Sequence, residues 1–139
     1  MPRVDEQKVY DELVGLSYEC VLDENKWPEM LERLMHASGR QQGGLIRQFN
    51  QAEAVQVSEV NFFDSAAITP YNQHYCHLDP GLMFLPQRAV GHWYHDFQDY
   101  GVEAMQRSSY YQEFHRPYGL GNLSCIKLYE TINLKAYLS

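Results

Sequence analysis

Residues 123–139 have the sequence LSCIKLYETINLKAYLS, and this segment carries the clearest structural pattern in the chain. The sequence predicts a β-strand over residues 123–129, a turn at residues 130–131 and a second β-strand over residues 132–138. Apolar residues alternate with other side chains in the second strand, as is typical of a strand with one buried face. These alternating residues are Ile132, Leu134, Ala136 and Leu138.

A second hairpin is predicted earlier in the chain. Residues 44–49 and 55–60 are the two strands, and residues 50–53 form the turn. We expect the last strand, 132–138, to leave an unpaired sheet edge. A five-stranded sheet would need one more strand, so we expect the chain to be part of a longer gene product or a shortened relative of one.

Helices are predicted around these hairpins. Residues 5–22 are amphipathic, and Asp23 caps a second helix that ends at Gly39. A third helix is predicted from Thr69-Pro70 to Asp79-Pro80, with His74 on its apolar face and an irregular segment after it. A short fourth helix begins at a capping box of Ser109 and Gln112. The chain is thus predicted to be one α+β domain, residues 1–139, with an antiparallel sheet and helices on one face.

Charge and composition exclude several classes of protein. The 139 residues carry a formal net charge of −7, whereas a nucleic-acid-binding chain needs a basic face. The sequence has neither a membrane-spanning stretch nor a signal peptide. The three cysteines are odd in number and far apart, which indicates free thiols in a reducing compartment. We expect a cytoplasmic protein without a cofactor, without direct nucleic-acid binding and without membrane association.

Five segments in this order resemble the N-terminal sensor region of LuxR-type helix-turn-helix transcriptional regulators. They are NKWPEML (25–31), HYCHLDP (74–80), GHWYHD (91–96), SYYQEF (109–114) and RPYGL (116–120). The resemblance covers roughly residues 9–138. It implies a PAS- or GAF-like sensor fold, dimerisation and a regulatory role, and it implies no catalytic residue. The DNA-binding module of that family is absent from this sequence, so DNA binding does not carry over.

Aromatic residues are the best candidates for a ligand-binding site. Sensor domains bind small ligands in apolar pockets with a few polar groups, which tyrosine hydroxyls and an indole N–H can supply. Plain core packing would use the same residues. The candidate pocket residues are Phe49, Tyr71, Tyr75, Trp93, Tyr94, Tyr110, Tyr111, Phe114 and Tyr118.

Metal and catalytic sites are weaker alternatives. The pairs His74/His77 and His92/His95, the latter beside Asp96, lack a zinc signature, so no metal site is expected. No nucleophile elbow surrounds a serine, and no catalytic residue is predicted. Asp79 and Asp96 are interpreted as a helix stop and a turn cap. Catalytic residues that could be combined on paper are Ser108, Ser109, Cys125, His115 and Asp96.

Two functions therefore remain open. The first is a sensing and dimerisation domain that binds a small apolar or aromatic ligand and forms a homodimer, or a heterodimer with a related regulator. The second is a stand-alone interaction protein that pairs with a full-length regulator and silences it. A metal-binding protein or small enzyme is the third and weakest hypothesis.

Overall fold

A five-stranded antiparallel sheet forms the centre of the computed structural model, which describes residues 5–49 and 56–139 without the side chains of residues 48, 49 and 56–61. The order of the strands in space is β2-β1-β5-β4-β3. The predicted α+β class is confirmed. The strands are β1 (Gly44–Phe49), β2 (Gln56–Asn61), β3 (Trp93–His95), β4 (Ser124–Glu130) and β5 (Leu134–Leu138).

Both predicted hairpins form, and β1 pairs with β5 to join them. The predicted turn at 50–53 and Val55 lie outside the described residues. The expected edge at the last strand was wrong, because β5 lies between β1 and β4. The edge strands are β2 and β3 instead.

The fifth strand lies inside the chain, at Trp93–His95, where no strand was predicted. It pairs with β4, with Tyr94 opposite Cys125. Three residues are too few to show an alternating pattern, so this strand had no periodic signal.

The last strand differs from its prediction in length and in its buried face. It begins at Leu134, and Ile132 is 87% exposed in the turn before it. Tyr137 is the buried residue of β5, whereas the predicted alternating set is half-buried or exposed. Tyr137 lies opposite both Ile46 and Lys127, so its ring is covered from both neighbouring strands.

One face of the sheet carries a continuous row of mostly buried side chains. Residues directly opposite in antiparallel strands share a face, and residues two apart on one strand do too. The row follows from the pairs Ile46–Tyr137, Tyr137–Lys127 and Tyr94–Cys125. Leu85, in the helical turn Leu85–Gln87, packs against Tyr94, Cys125 and Tyr137.

Lys127 is the unusual member of this row, because its side chain is fully buried. Its ammonium donates to the carbonyl oxygens of Pro86 at 2.9 Å and Arg88 at 2.6 Å, and to Glu130 Oε2 at 2.9 Å. All three N–H groups are therefore used, as a buried cation requires. These bonds fasten the Leu85–Gln87 turn to β4.

The two N-terminal helices are confirmed. α1 spans Glu6–Leu22, and α2 spans Trp27–Ser38 and packs against α1. The predicted Asp23 cap of α2 was wrong: Asp23 accepts from Asn25 N at 3.0 Å and caps the short turn Glu24–Lys26, whereas α2 begins after Lys26 without a side-chain cap. Gly39 ends α2 with φ at 69°, a left-handed conformation that favours glycine. Among the described residues, no helix is long and apolar enough to cross a membrane.

The third helix begins earlier than predicted. α3 spans Ser65–Gln73, because Asp64 accepts from Ala66 N at 2.9 Å and starts the helix before Pro70. His74 lies just past its end and is exposed rather than on a buried apolar face. The segment expected to be irregular contains α4, Pro80–Phe84, and the Leu85–Gln87 turn.

Three helical segments follow β3, the first of which is a wide helical segment at Phe97–Gly101 that leads into the next helix. α5 spans Val102–Arg107, and a second wide helical segment spans Tyr110–His115. The predicted capping box was wrong, because Ser109 has helical angles and its side chain caps nothing. Gln112 N donates instead to Ser108 O at 3.0 Å. The second wide segment buries Tyr110, Tyr111, Phe114 and His115.

Candidate functional site

A cavity of about 570 Å³ lies between α2, α3 and the segment Tyr110–His115. Its volume falls within the range of small-molecule sites in proteins, about 300–1,000 Å³. The α2 side is mostly apolar and consists of Leu31, Leu34, Met35 and Ser38. The loops 39–42 and 119–123 border the cavity on its more exposed side.

The inner side of the cavity is the buried wall, which we define as Tyr71, Asp79, Tyr110, Phe114 and His115. Tyr71 Oη donates to Asp79 Oδ2 at 2.7 Å, and Gly81 N donates to Asp79 Oδ1 at 2.8 Å. Asp79 therefore caps α4 as well as holding a tyrosine. Burial raises the pKa of the Asp79 carboxyl, and these hydrogen bonds oppose the rise.

His115 extends this hydrogen-bonded group. Its Nδ1 lies 3.2 Å from Gly121 O, and its Nε2 lies 3.2 Å from Tyr110 Oη. A carbonyl oxygen only accepts, so Nδ1 carries the proton and Nε2 accepts from the tyrosine. Burial lowers the pKa of His115 to about 4, so the imidazole is neutral at pH 7.

The outer side of the cavity is the polar rim, which we define as Arg40, Trp93, His95, Asn122 and Ser124. Arg40 donates to Asn122 O and to Ser124 Oγ, both at 2.9 Å. Ser124 Oγ lies 2.8 Å from His95 Nδ1, and the His95 ring stacks on Trp93 at 5.7 Å. Trp93 is 47% exposed, so this rim is open to solvent.

Four of the nine predicted pocket residues line the cavity: Tyr71, Trp93, Tyr110 and Phe114. Two more, Tyr75 and Tyr118, pack against the ring of Phe114. The ring centroids of Tyr75 and Phe114 are 4.8 Å apart, and those of Tyr118 and Phe114 are 5.3 Å apart. For Phe49 the strand is described but the side chain is not.

The remaining two predicted residues are core residues away from the cavity. Tyr94 is fully buried and stacks on Phe84 at 5.9 Å. Tyr111 donates to Asp96 Oδ2 at 3.1 Å, and Leu123 N donates to the same oxygen at 2.9 Å. Asp96 is therefore a buried acceptor for a tyrosine and a loop, and its side chain caps no turn.

The catalytic combination considered from the sequence does not assemble around His115. Its ring nitrogens lie against Gly121 O and Tyr110 Oη. Cys125 is buried, and burial raises the pKa of its thiol, which disfavours the reactive thiolate. Across residues 5–49 and 56–139, no three His, Cys, Asp or Glu residues are grouped so as to hold a metal ion.

Several cavity residues were missed by the sequence analysis. Asp79 had a detectable signal, because Asp before Pro at a helix start is a typical cap, but nothing in the sequence indicated its bond to Tyr71. His115 was considered only as a catalytic base. Arg40, His95 and Ser124 come from three separate elements, and only the fold brings them together.

The comparisons with known proteins identify a shared fold. No protein-family model matches the chain, and no curated protein does. Among solved structures, the chain is similar to the crystal structure of the VqsR LBD domain from Pseudomonas aeruginosa, with a TM-score of 0.71 and 14% sequence identity. The match covers 93% of this chain and 77% of that chain. The fold of this chain therefore resembles that of the VqsR LBD domain.

Proposed function

We propose that this chain is a non-enzymatic sensing domain of a LuxR-type regulator, of the PAS- or GAF-like kind, that binds a small apolar or aromatic ligand. The observation that carries the proposal is the 570 Å³ cavity between the apolar side of α2 and the buried wall. Its lining combines aliphatic and aromatic side chains with a few polar groups, as small-molecule sites do. The similarity to a regulator ligand-binding domain supports the same proposal.

The buried wall supports binding because its polar groups are already held in place. Asp79, Tyr71 and His115 have hydrogen-bond partners within the protein, so the wall keeps its shape without a ligand. A preformed site avoids the cost of ordering side chains on binding. The Phe114 ring, supported by Tyr75 and Tyr118, offers an apolar surface beside these groups.

A neutral fluorescent probe, N-phenyl-1-naphthylamine, tests this proposal. We expect it to bind the purified protein with one-to-one stoichiometry. Leu34→Trp, which places a larger side chain in the cavity, weakens this binding by about tenfold or more, since a filled site excludes the probe. Leu128→Trp makes the same change at an exposed β4 position away from the cavity and leaves binding unchanged.

Two outcomes would count against a ligand-binding cavity. One is the absence of saturable probe binding by the folded protein. The other is equal binding by the two tryptophan variants, which would place the probe elsewhere on the surface. Circular dichroism on both variants establishes that each one is folded.

We also propose that the chain forms a homodimer, or a heterodimer with a related regulator, through α1. Val9 and Leu13 are half-buried and Cys20 is buried, so these residues face the domain itself. The other face of α1 exposes large apolar side chains, with Tyr18 at 72% and Leu22 at 90%. Exposed apolar surface of this kind favours association.

Light scattering at micromolar concentration tests the dimer. We expect a dimer mass for the unmodified protein and a monomer mass for Tyr18→Asp, since a charge on the exposed apolar face of α1 opposes its burial. Glu19→Asp at the neighbouring exposed position is the control and stays dimeric. A monomer mass for the unmodified protein, with no related regulator recovered from cells, would reject this part.

The exposed apolar face of α1 also supports a second function, in which the chain pairs with a full-length regulator and silences it. Co-expression with a related regulator and its promoter distinguishes the two. Silencing that Tyr18→Asp abolishes and Leu34→Trp leaves intact favours the interaction protein. Loss of regulation with Leu34→Trp favours the sensor.

A further inference from the structure

We infer that the ligand of this cavity carries a carboxylate, which binds at the polar rim against Arg40, and an apolar body that extends toward the buried wall. This inference rests on the proposed function, because it assigns a chemical class to the ligand of the same site. It depends on four properties of the rim: its charge, its unused donors, its stacked aromatic surface and its exposure.

The charge distribution around the cavity is asymmetric. Its lining contains Asp79 on the buried wall and Arg40 on the rim, together with His95 and His115. His115 is neutral at pH 7, as its lowered pKa shows. Within the described lining, Arg40 is thus the permanent positive charge, in a chain whose net charge is −7.

Arg40 is held in place without being neutralised by an ion pair. Its two bonds go to a carbonyl and a hydroxyl, Asn122 O and Ser124 Oγ. Among the described side chains, no carboxylate lies within ion-pair distance of its guanidinium. Asp96 is near enough for the charge of Arg40 to help lower its pKa, but that carboxylate is buried and accepts from Leu123 N and Tyr111 Oη.

The rim retains donors for an anion. A guanidinium has five N–H groups, and two of its nitrogens here make one bond each. Ser124 accepts from Arg40, so its own hydroxyl proton can be donated to His95 Nδ1. In a neutral imidazole that arrangement places the ring proton on Nε2, which is then a further donor on the rim.

The rest of the cavity requires an apolar body on the ligand. Trp93, stacked on His95, lines the rim, and Phe114 lies on the buried wall. The α2 side contributes the apolar residues Leu31, Leu34 and Met35, together with Ser38, whose hydroxyl donates to Leu34 O within the helix. An inorganic anion would leave these surfaces uncovered, whereas an aryl- or alkyl-carboxylate covers them and places its charge at the solvent-exposed end.

Isothermal titration with 4-phenylbutyrate and its neutral amide, 4-phenylbutanamide, tests this inference. The two probes have nearly the same shape and differ in charge. We expect the acid to bind about tenfold more tightly at low salt, because hydrogen bonds to charged groups are stronger than neutral ones. The preference decreases in about 1 M salt, where the screening length falls to about 3 Å.

Three variants test whether Arg40 causes the preference for the acid over the amide. Arg40→Gln removes the charge and is expected to reduce the preference to within about twofold, whereas Arg40→Lys keeps the charge and retains much of it. Arg116→Gln makes the same change as the first variant at an exposed position outside the cavity, and leaves the preference intact. Arg40→Lys also keeps the test valid if Arg40→Gln does not fold.

The outcomes distinguish a failure of the carboxylate inference from a failure of the proposed sensing function. Binding of N-phenyl-1-naphthylamine without preference for the acid, or a preference that survives in Arg40→Gln, overturns the carboxylate and leaves the sensing cavity intact. Binding of the naphthylamine with no binding of either phenyl probe overturns it as well. If the naphthylamine does not bind either, the proposed function fails with it.

Discussion

The buried wall and the polar rim use similar side chains in opposite ways. On the wall, Asp79 and His115 are buried, and every bond described for them goes to the protein itself. On the rim, Arg40 and His95 are partly or fully exposed and keep donors to spare. The wall is therefore expected to determine stability, and the rim is expected to determine which ligand binds.

The cost of burial explains this difference. A buried polar group must be paired by the protein, since a lost partner costs about 1–3 kcal/mol or more. An exposed group can exchange a protein partner for water at little cost. Substitutions at the two sides should therefore separate stability from ligand preference.

The largest expected effect comes from the aromatic part of the wall. Phe114→Ala lowers the free energy of unfolding by about 4 kcal/mol, because it leaves a cavity among the rings of Tyr71, Tyr75 and Tyr110. Urea denaturation followed by circular dichroism measures this loss. The control is Phe97→Ala, at an exposed position, which costs less than about 1 kcal/mol. Similar losses for the two variants would show that Phe114 is not a core residue.

Next in size is the loss of the buried carboxylate. Asp79→Ala lowers the free energy of unfolding by about 3 kcal/mol, because Tyr71 Oη and Gly81 N lose their acceptor. Asp64→Ala removes a single cap bond, to Ala66 N, from an exposed residue and costs about 1 kcal/mol. Equal destabilisation by the two substitutions in the same denaturation assay would contradict the role given to Asp79.

The third-largest effect is a pH dependence of the free energy of unfolding caused by His115. Its pKa is about 4 in the folded protein and about 6.5 when unfolded, so the unfolded chain takes up the proton first as pH falls. Stability is therefore lost between pH 6.5 and 4, by about 2–3 kcal/mol. The raised pKa values of Asp79 and Asp96 act in the opposite direction. The difference between the unmodified protein and His115→Gln isolates the histidine, and identical pH profiles for the two would rule this effect out.

The smallest stability effect is expected at the rim. Arg40→Gln lowers the free energy of unfolding by less than about 1 kcal/mol, because the arginine is exposed and water replaces its two bonds. Thermal and urea denaturation measure it against Arg116→Gln. A loss as large as that of Asp79→Ala would remove the distinction between wall and rim.

The elements that the sequence predicted correctly are those with a repeated local pattern. α1 and α2 have apolar residues at helical spacing, and Gly39 ends α2 as predicted. Both hairpins form, although the alternation in the last strand indicated the wrong buried face. These patterns depend on neighbours in sequence, so sequence alone contains them. β3 is too short for any pattern, and α3 begins at an Asp64 cap whose effect is stronger than the signal of Pro70.

The cavity was predictable in composition and unpredictable in arrangement. Its aromatic residues were identified as candidates, yet nothing local distinguishes Tyr110, which lines it, from Tyr111, which bonds to Asp96. Adjacent residues on a helical segment point in different directions, and only the packing of the segment decides which one meets the cavity. The rim shows the same limit more strongly, since 84 residues separate Arg40 from Ser124.

Because the ammonium of Lys127 is buried, the rate at which it is acylated reports how often the structure around it opens. The chain contains four lysines, and Lys8, Lys26 and Lys135 remain at least partly accessible to an amine-acylating reagent in water. Lys127 reacts only after it leaves Pro86 O and Arg88 O, that is, after the Leu85–Gln87 turn detaches from β4. The time course of its acylation, followed by peptide mass spectrometry, therefore measures how often that turn opens while the rest of the domain remains folded.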